Sequence, residues 1–209
     1  MTNKQQRIIL LVDNSGSMDG KPIEDIKQSL AMLKQEINQY NRINKDKKKL
    51  EVITFASESK LISNNALHKI TASGNTKIGQ AYRKLRYRLL KVDKTELSPI
   101  ILLLTDGAIY DENIAKMELG KLKKIKIFAR SKKLAFAYND QTNETRRILT
   151  NFTNSKNLVF YENSSKILKQ IIGSLLPKII FKKKRPKIQV NILSDKIKIL
   201  KNGKTSVRT

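Results

Sequence analysis

Two uninterrupted apolar runs, each leading to an aspartate, constrain this chain more than any other feature. Residues 8–12 read Ile-Ile-Leu-Leu-Val and run into Asp13; residues 99–104 read Pro-Ile-Ile-Leu-Leu-Leu and reach Asp106 after Thr105. A strand without polar alternation is covered on both faces, as strands are in a parallel sheet between two helix layers. The intervening sequence supplies those layers. Ile23, Ile26, Leu30, Leu33, Ile37 and Tyr40 recur at spacings of three and four, with Pro22 in the first turn, and form one long amphipathic helix. Ile78, Ala81, Tyr82, Leu85 and Leu89 supply the buried face of a second helix. Further strands are expected at 50–55, 134–138 and 158–161, with a short edge strand at 60–62. Helices are expected near 113–124, 144–152 and 167–175, the last stopping at Pro177. This alternation predicts an α/β fold, a doubly wound, mostly parallel sheet with helices on both faces. Such sheets bind ligands beyond the carboxyl ends of their strands, so Asp13 and Asp106 belong on one rim. Tyr40, Tyr82 and Tyr87 read as core or boundary residues.

The main domain is expected over residues 1–177, followed by a basic extension over 178–209. That extension holds 11 Lys and Arg against one acid, Asp195. Ile188, Val190 and Ile192, then Ile197 and Ile199, alternate on either side of Ser194-Asp195, which predicts a small β-hairpin. A hairpin alone is marginal in water and needs something to pack on or bind. The whole chain carries a formal charge of +25, which suits nucleic acid, an acidic protein or an anionic surface as partner. Lys182, Lys183, Lys184 and Arg185 are the densest candidate anion-binding run. With 6% aromatics and no interleaving of rings with cations, most of the charge reads as solvated lysine rather than a nucleic-acid module.

Composition removes several chemistries. The chain has no cysteine, hence no thiolate site, and its single histidine, His68, falls in a connector and reads as solvated or packed. No apolar run approaches the roughly 18 residues of a membrane span. The first apolar run is too short for a signal-peptide core, so a cytoplasmic location is expected.

The chemistry concentrates in three loops. The first is Asp13-x-Ser15-x-Ser17, the second opens the second helix at Thr76, and the third is Thr105-Asp106-Gly107. Two carboxylates and three hydroxyls are hard oxygen donors that suit Mg²⁺, with Mn²⁺ and Ca²⁺ as alternatives. If hydroxyls bind directly while carboxylates act through water, the ion keeps positive charge and attracts an external carboxylate or phosphate. Thr105 itself reads as a hydroxyl satisfying backbone.

These residues resemble the von Willebrand factor A domain family and its metal-ion-dependent adhesion site. The resemblance spans about residues 6–177. It implies that Ser15, Ser17 and Thr76 contact a metal, that Asp13 and Asp106 act largely through water, and that a partner's acid fills the sixth position. Within the family the chain is similar to the short bacterial cytosolic branch of tellurite-resistance and stress operons, the TerY-like proteins. Residues 10–13, 20–24, Thr76-x-x-Gly79-x-Ala81 and 104–107 carry that likeness, as do Phe128-Ala129, residues 134–137 and residues 152–154. Tyr138-Asn139-Asp140 departs from it, since relatives usually have glycine before the acid. The likeness implies a kinase, a phosphatase or tellurium-resistance proteins as genomic neighbours and partners.

The expected function is therefore a metal-dependent protein-binding or scaffolding module rather than an enzyme. No general base or activated nucleophile accompanies the loops. An aspartate-nucleophile phosphatase using Asp13 would need a second aspartate two residues on, where this chain has Ser15. Anionic-polymer binding through the basic extension is the other alternative.

Overall fold

The computed structural model describes residues 4–106, 109–138, 142–162, 180–181, 189–193 and 196–200. The two apolar runs become β1 (Gln5–Asp13) and β4 (Leu97–Thr105), paired in parallel at the centre of a six-stranded sheet. With β2 (Lys47–Phe55), β3 (Ser59–Ile62), β5 (Lys132–Tyr138) and β6 (Val159–Glu162), the strand order is β3-β2-β1-β4-β5-β6. Only β3 runs antiparallel, and it lies at the edge. The order reverses between β1 and β4, so the crevice beyond their carboxyl ends is the switch point where such sheets bind ligands.

Both faces of the sheet are covered, which is why the central strands lack polar alternation. Ile8, Leu10 and Val12 pack under α1 (Lys21–Ile43), against Ile23, Ile26, Leu30, Leu33 and Ile37. Ile9 and Leu11 face the other way, toward α2 (Ile78–Leu89) and α3 (Glu112–Lys123). Phe128 of α4 (Lys126–Arg130) and Leu149 and Phe152 of α5 (Asn143–Thr153) complete that second layer. Each fully buried aliphatic side chain contributes roughly 1.5–3 kcal/mol relative to exposure. Among the described residues no helix is long and apolar enough to cross a membrane.

The doubly wound reading holds, with local differences. β2 starts at Lys47 rather than residue 50, because Lys47 and Lys49 point to solvent while Lys48 turns inward and donates to Gln6 Oε1 at 2.8 Å. Helix α4 is an additional short turn that the sequence pattern did not separate from a connector. Tyr82 is core and Tyr40 boundary, but Tyr87 is exposed. In the basic extension β7 (Gln189–Leu193) and β8 (Lys196–Leu200) pair antiparallel, Val190 opposite Ile199 and Ile192 opposite Ile197, as the alternation predicts. Before them, Ile180 joins the α1 core and the Phe181 ring stacks on Tyr40 at 4.8 Å. The expected helix at 167–175, the run 182–185, Ile188, the Ser194-Asp195 turn, Gly107 and Asn139-Asp140 lie outside the described residues.

Candidate metal centre

Asp13 is the last residue of β1, and its carboxylate is fully buried. One oxygen accepts from the Ser15 amide at 2.9 Å and the other from the Thr105 hydroxyl at 2.6 Å. Thr105 therefore does more than satisfy backbone: it anchors the central aspartate from the adjacent strand. The chain then makes one turn of 3-10 helix, Gly16–Met18, which brings the Ser15 and Ser17 hydroxyls to 3.1 Å from each other.

The second loop is sewn to the first by backbone hydrogen bonds. Gly16 N donates to Gly74 O at 2.9 Å and Ser73 N to Asn14 O at 2.8 Å. Gly74 has φ +75°, and a Cβ there would meet Ser57 Oγ at 2.5 Å, so this close approach requires glycine. Thr76 is buried and lies in the loop two residues before α2 begins, rather than in the helix itself. The third loop, carrying Asp106, is joined to the second where Tyr110 N donates to Thr76 O at 2.9 Å. The same tie recurs through side chains, since the Asp111 carboxylate accepts from the Gly79 amide at 3.2 Å. A Cβ on Gly79 would lie 2.7 Å from Asp111 Oδ2 and 2.8 Å from the Ala115 amide. Asp111 and Gly79 were not singled out as a pair from sequence; only the Thr-x-x-Gly spacing hinted at them. Gly79→Ala is expected to lower stability by about 1–3 kcal/mol, as overpacking does. Gly120→Ala, in open space on α3, should be neutral or slightly stabilising. Urea unfolding of the two variants checks this.

The electrostatics fit a cation. Burial pushes the Asp13 carboxyl up to about 6, against the downward pull of its bonds to Thr105 and Ser15, and the charge of Asp106 raises it further. Two nearby carboxylates in a dry site are mutually unfavourable until positive charge joins them. Among the described residues no three carboxylate or imidazole groups cluster to hold a metal by themselves. A cation held here would rely on the serine and threonine hydroxyls, which matches hard-donor chemistry.

The raised Asp13 value also sets a pH dependence. Between its ordinary value near 3.8 and about 6, the folded chain holds a proton that the unfolded chain has released. Asp13 therefore favours the folded state at low pH, and this contribution is lost as pH rises through about 6. In chelator, Asp13→Asn should remove this contribution, so its Tm gain over the parent should be larger at pH 7 than at pH 5. Parallel melts at the two pH values test it.

A doubly wound α/β domain with hydroxyls and aspartates from three loops gathered at the switch point defines the class. The chain belongs to the von Willebrand factor type A domain family, whose model matches residues 8–174. No protein of curated function matches it. Among solved structures, it resembles the von Willebrand factor domain of the type V pili tip protein Mfa5 from Porphyromonas gingivalis (8% identity, TM-score 0.71, 90% of this chain and 99% of that one). A von Willebrand factor type A protein from Catenulispora acidiphila is similar at 12% identity and TM-score 0.68, over 84% of this chain and 42% of that one. Proximal thread matrix protein 1 from the mussel byssus, in a structure with a zinc-occupied MIDAS motif, matches at 20% identity and TM-score 0.63, over 84% of this chain and 46% of that one. The chain thus spans under half the length of the mussel and Catenulispora proteins.

Proposed function

We propose that this chain is a metal-dependent protein-binding module. Ser15, Ser17 and Thr76 hold one divalent cation, Mg²⁺, while Asp13 and Asp106 orient the water and hydroxyls around it. An acidic side chain of a protein partner completes the coordination. The bound cation supplies an unsaturated Lewis-acidic position that recognises a carboxylate. Residues 1–177 form the binding domain and 178–209 its extension.

The observation that carries this reading is the state of Asp13. Its oxygens accept from the Ser15 amide and the Thr105 hydroxyl, which fixes the first loop against the neighbouring strand, and the Ser15 and Ser17 hydroxyls lie 3.1 Å apart beside it, a placement that favours hydroxyl contact with an ion. With few carboxylates in direct contact, the ion's charge stays uncancelled, and a partner's acid gains from meeting it. The formal charge of +25 adds long-range attraction for an acidic partner, expressed in on-rate and salt sensitivity. Small size and hydroxyl donors favour Mg²⁺ over Ca²⁺, which takes more oxygen ligands. The likeness to the TerY-like branch supports a cytoplasmic role in a bacterial stress or tellurite-resistance system, with a kinase or phosphatase as partner.

Pull-down from a bacterial lysate with Mg²⁺ or with chelator, comparing wild type and Asp106→Ala, tests the reading. The expected result is a partner retained only by wild type and only with Mg²⁺. A partner retained equally in all conditions would overturn metal-bridged binding.

A further inference from the structure

The parallel strands that carry the metal centre at their carboxyl ends begin at the opposite end of the sheet, where α1 and α2 terminate. That end is strongly cationic. Residues 40–49 hold five Lys and Arg against one acid, residues 88–96 three against two, and residues 121–133 seven against none. Its acids are already engaged: Glu51 by Arg7 and Arg88, Glu96 by Arg7, Asp93 by Thr95, and Asp46 by the Lys4 amide. Lys48 and Lys133 are buried and take no part. Arg42, Lys45, Lys47, Lys49, Lys91, Lys94, Lys123, Lys124 and Lys126 remain at the surface.

Set among these cations are two largely exposed aliphatic side chains that belong to neither core cluster. Ile43, the last residue of α1, is 78% exposed, and Leu90, just past α2, is 61% exposed; among the described residues the next most exposed non-aromatic hydrophobic, Met117, reaches 48%. Both project from the terminal turns of helices that end at this same end of the sheet. They are linked across it: Arg7 on β1 donates to Lys91 O at 2.8 Å, Arg7 pairs with Lys49 on β2, and Lys47 donates to Asn44 O at 2.9 Å.

We propose that this end docks on an anionic lipid bilayer, with Ile43 and Leu90 entering the headgroup boundary and the surrounding lysines meeting lipid phosphates and carboxylates. Cations alone would fit any polyanion; the aliphatic tips decide between them. A phosphodiester backbone offers nothing to an isoleucine or leucine, whereas an interfacial bilayer receives both kinds of side chain at once. Tyr87, the exposed aromatic of this end, has Arg86 over its ring at 4.7 Å, so one face is closed to base stacking. A tyrosine beside basic residues is well suited to a headgroup region. The metal centre at the opposite end would then face away from the membrane, open to a partner.

The test is co-sedimentation of the full chain with phosphatidylcholine vesicles, with and without phosphatidylserine. Binding is expected only with phosphatidylserine. Ile43→Ser and Leu90→Ser change neither charge nor core, and each should weaken it by about tenfold, the loss of one inserted aliphatic side chain. Chelator and Asp106→Ala should leave it unchanged, which separates this surface from the metal centre. The proposal is overturned if vesicles bind regardless of phosphatidylserine or not at all, if the serine variants bind like wild type, or if chelator abolishes binding. Tight binding to duplex DNA that the serine variants leave intact, without vesicle binding, would assign this end to nucleic acid instead.

Discussion

Asp13→Asn is expected to lower Mg²⁺ affinity about 100-fold while leaving the metal-free chain at least as stable as wild type. The two effects have one cause. Asp13 is a desolvated carboxylate whose charge burial opposes, so its carboxyl is pushed up to about 6. Asparagine keeps an oxygen for the Ser15 amide, now 2.9 Å from the carboxylate, and places an amide beside the Thr105 hydroxyl, which can turn to accept from it. The substitution thus removes a buried charge without emptying the site. A purely structural aspartate would behave oppositely: its replacement would reduce stability whether or not metal is present. Melts with chelator and with Mg²⁺, alongside calorimetric titration of the metal, distinguish the cases. A variant that binds Mg²⁺ as wild type does would remove Asp13 from the centre.

The second large effect is expected at the other end of the sheet. Arg7→Ala should destabilise the fold by about 3–5 kcal/mol, because it leaves buried carboxylates without their cation. The Arg7 guanidinium donates to both oxygens of Glu96, at 2.7 and 2.9 Å, to Glu51 at 3.4 Å and to Lys91 O at 2.8 Å. Arg88 still holds Glu51 at 2.8 and 2.9 Å, so most of the damage falls on Glu96. Arg7→Lys should recover little of the loss, since an ammonium cannot reproduce the planar, two-pronged contact. Urea unfolding measures both. A loss below about 1 kcal/mol would place Arg7 among ordinary surface ion pairs. Metal affinity should be unchanged in either variant that folds.

These two residues also mark what the sequence does and does not reveal. The sheet was legible because burial on both faces leaves a local trace: Ile8-Ile9-Leu10-Leu11-Val12 can only be a covered strand, and the stripe from Ile23 to Tyr40 only a helix with one buried face. The three loops were legible for a related reason, since each follows or precedes an element whose position the periodicity fixes. Even the hairpin showed itself through alternation of Val190, Ile192, Ile197 and Ile199. Arg7 gives no such signal. Its partners lie 44 and 89 residues away, and nothing in local spacing distinguishes it from the other cations of a lysine-rich chain. Glu118 on α3, buried and held by Arg86 and Lys121, was hidden for the same reason. Asp111 and Gly79 meet only once α2 and α3 are packed together, so the need for glycine at 79 belongs to tertiary structure. The role of Thr105 leaves no local trace because its hydroxyl serves a residue on a neighbouring strand, 92 positions away.

Diffraction from crystals soaked in Mn²⁺, collected for anomalous signal, tests most directly whether the loops following β1 and β4 and preceding α2 jointly bind an ion. The account predicts one strong peak at about 2.1 Å from the serine hydroxyls of the first loop, the distance of a small octahedral cation. Well-ordered loops with no peak between them, at Mn²⁺ concentrations that saturate any physiological site, would contradict it.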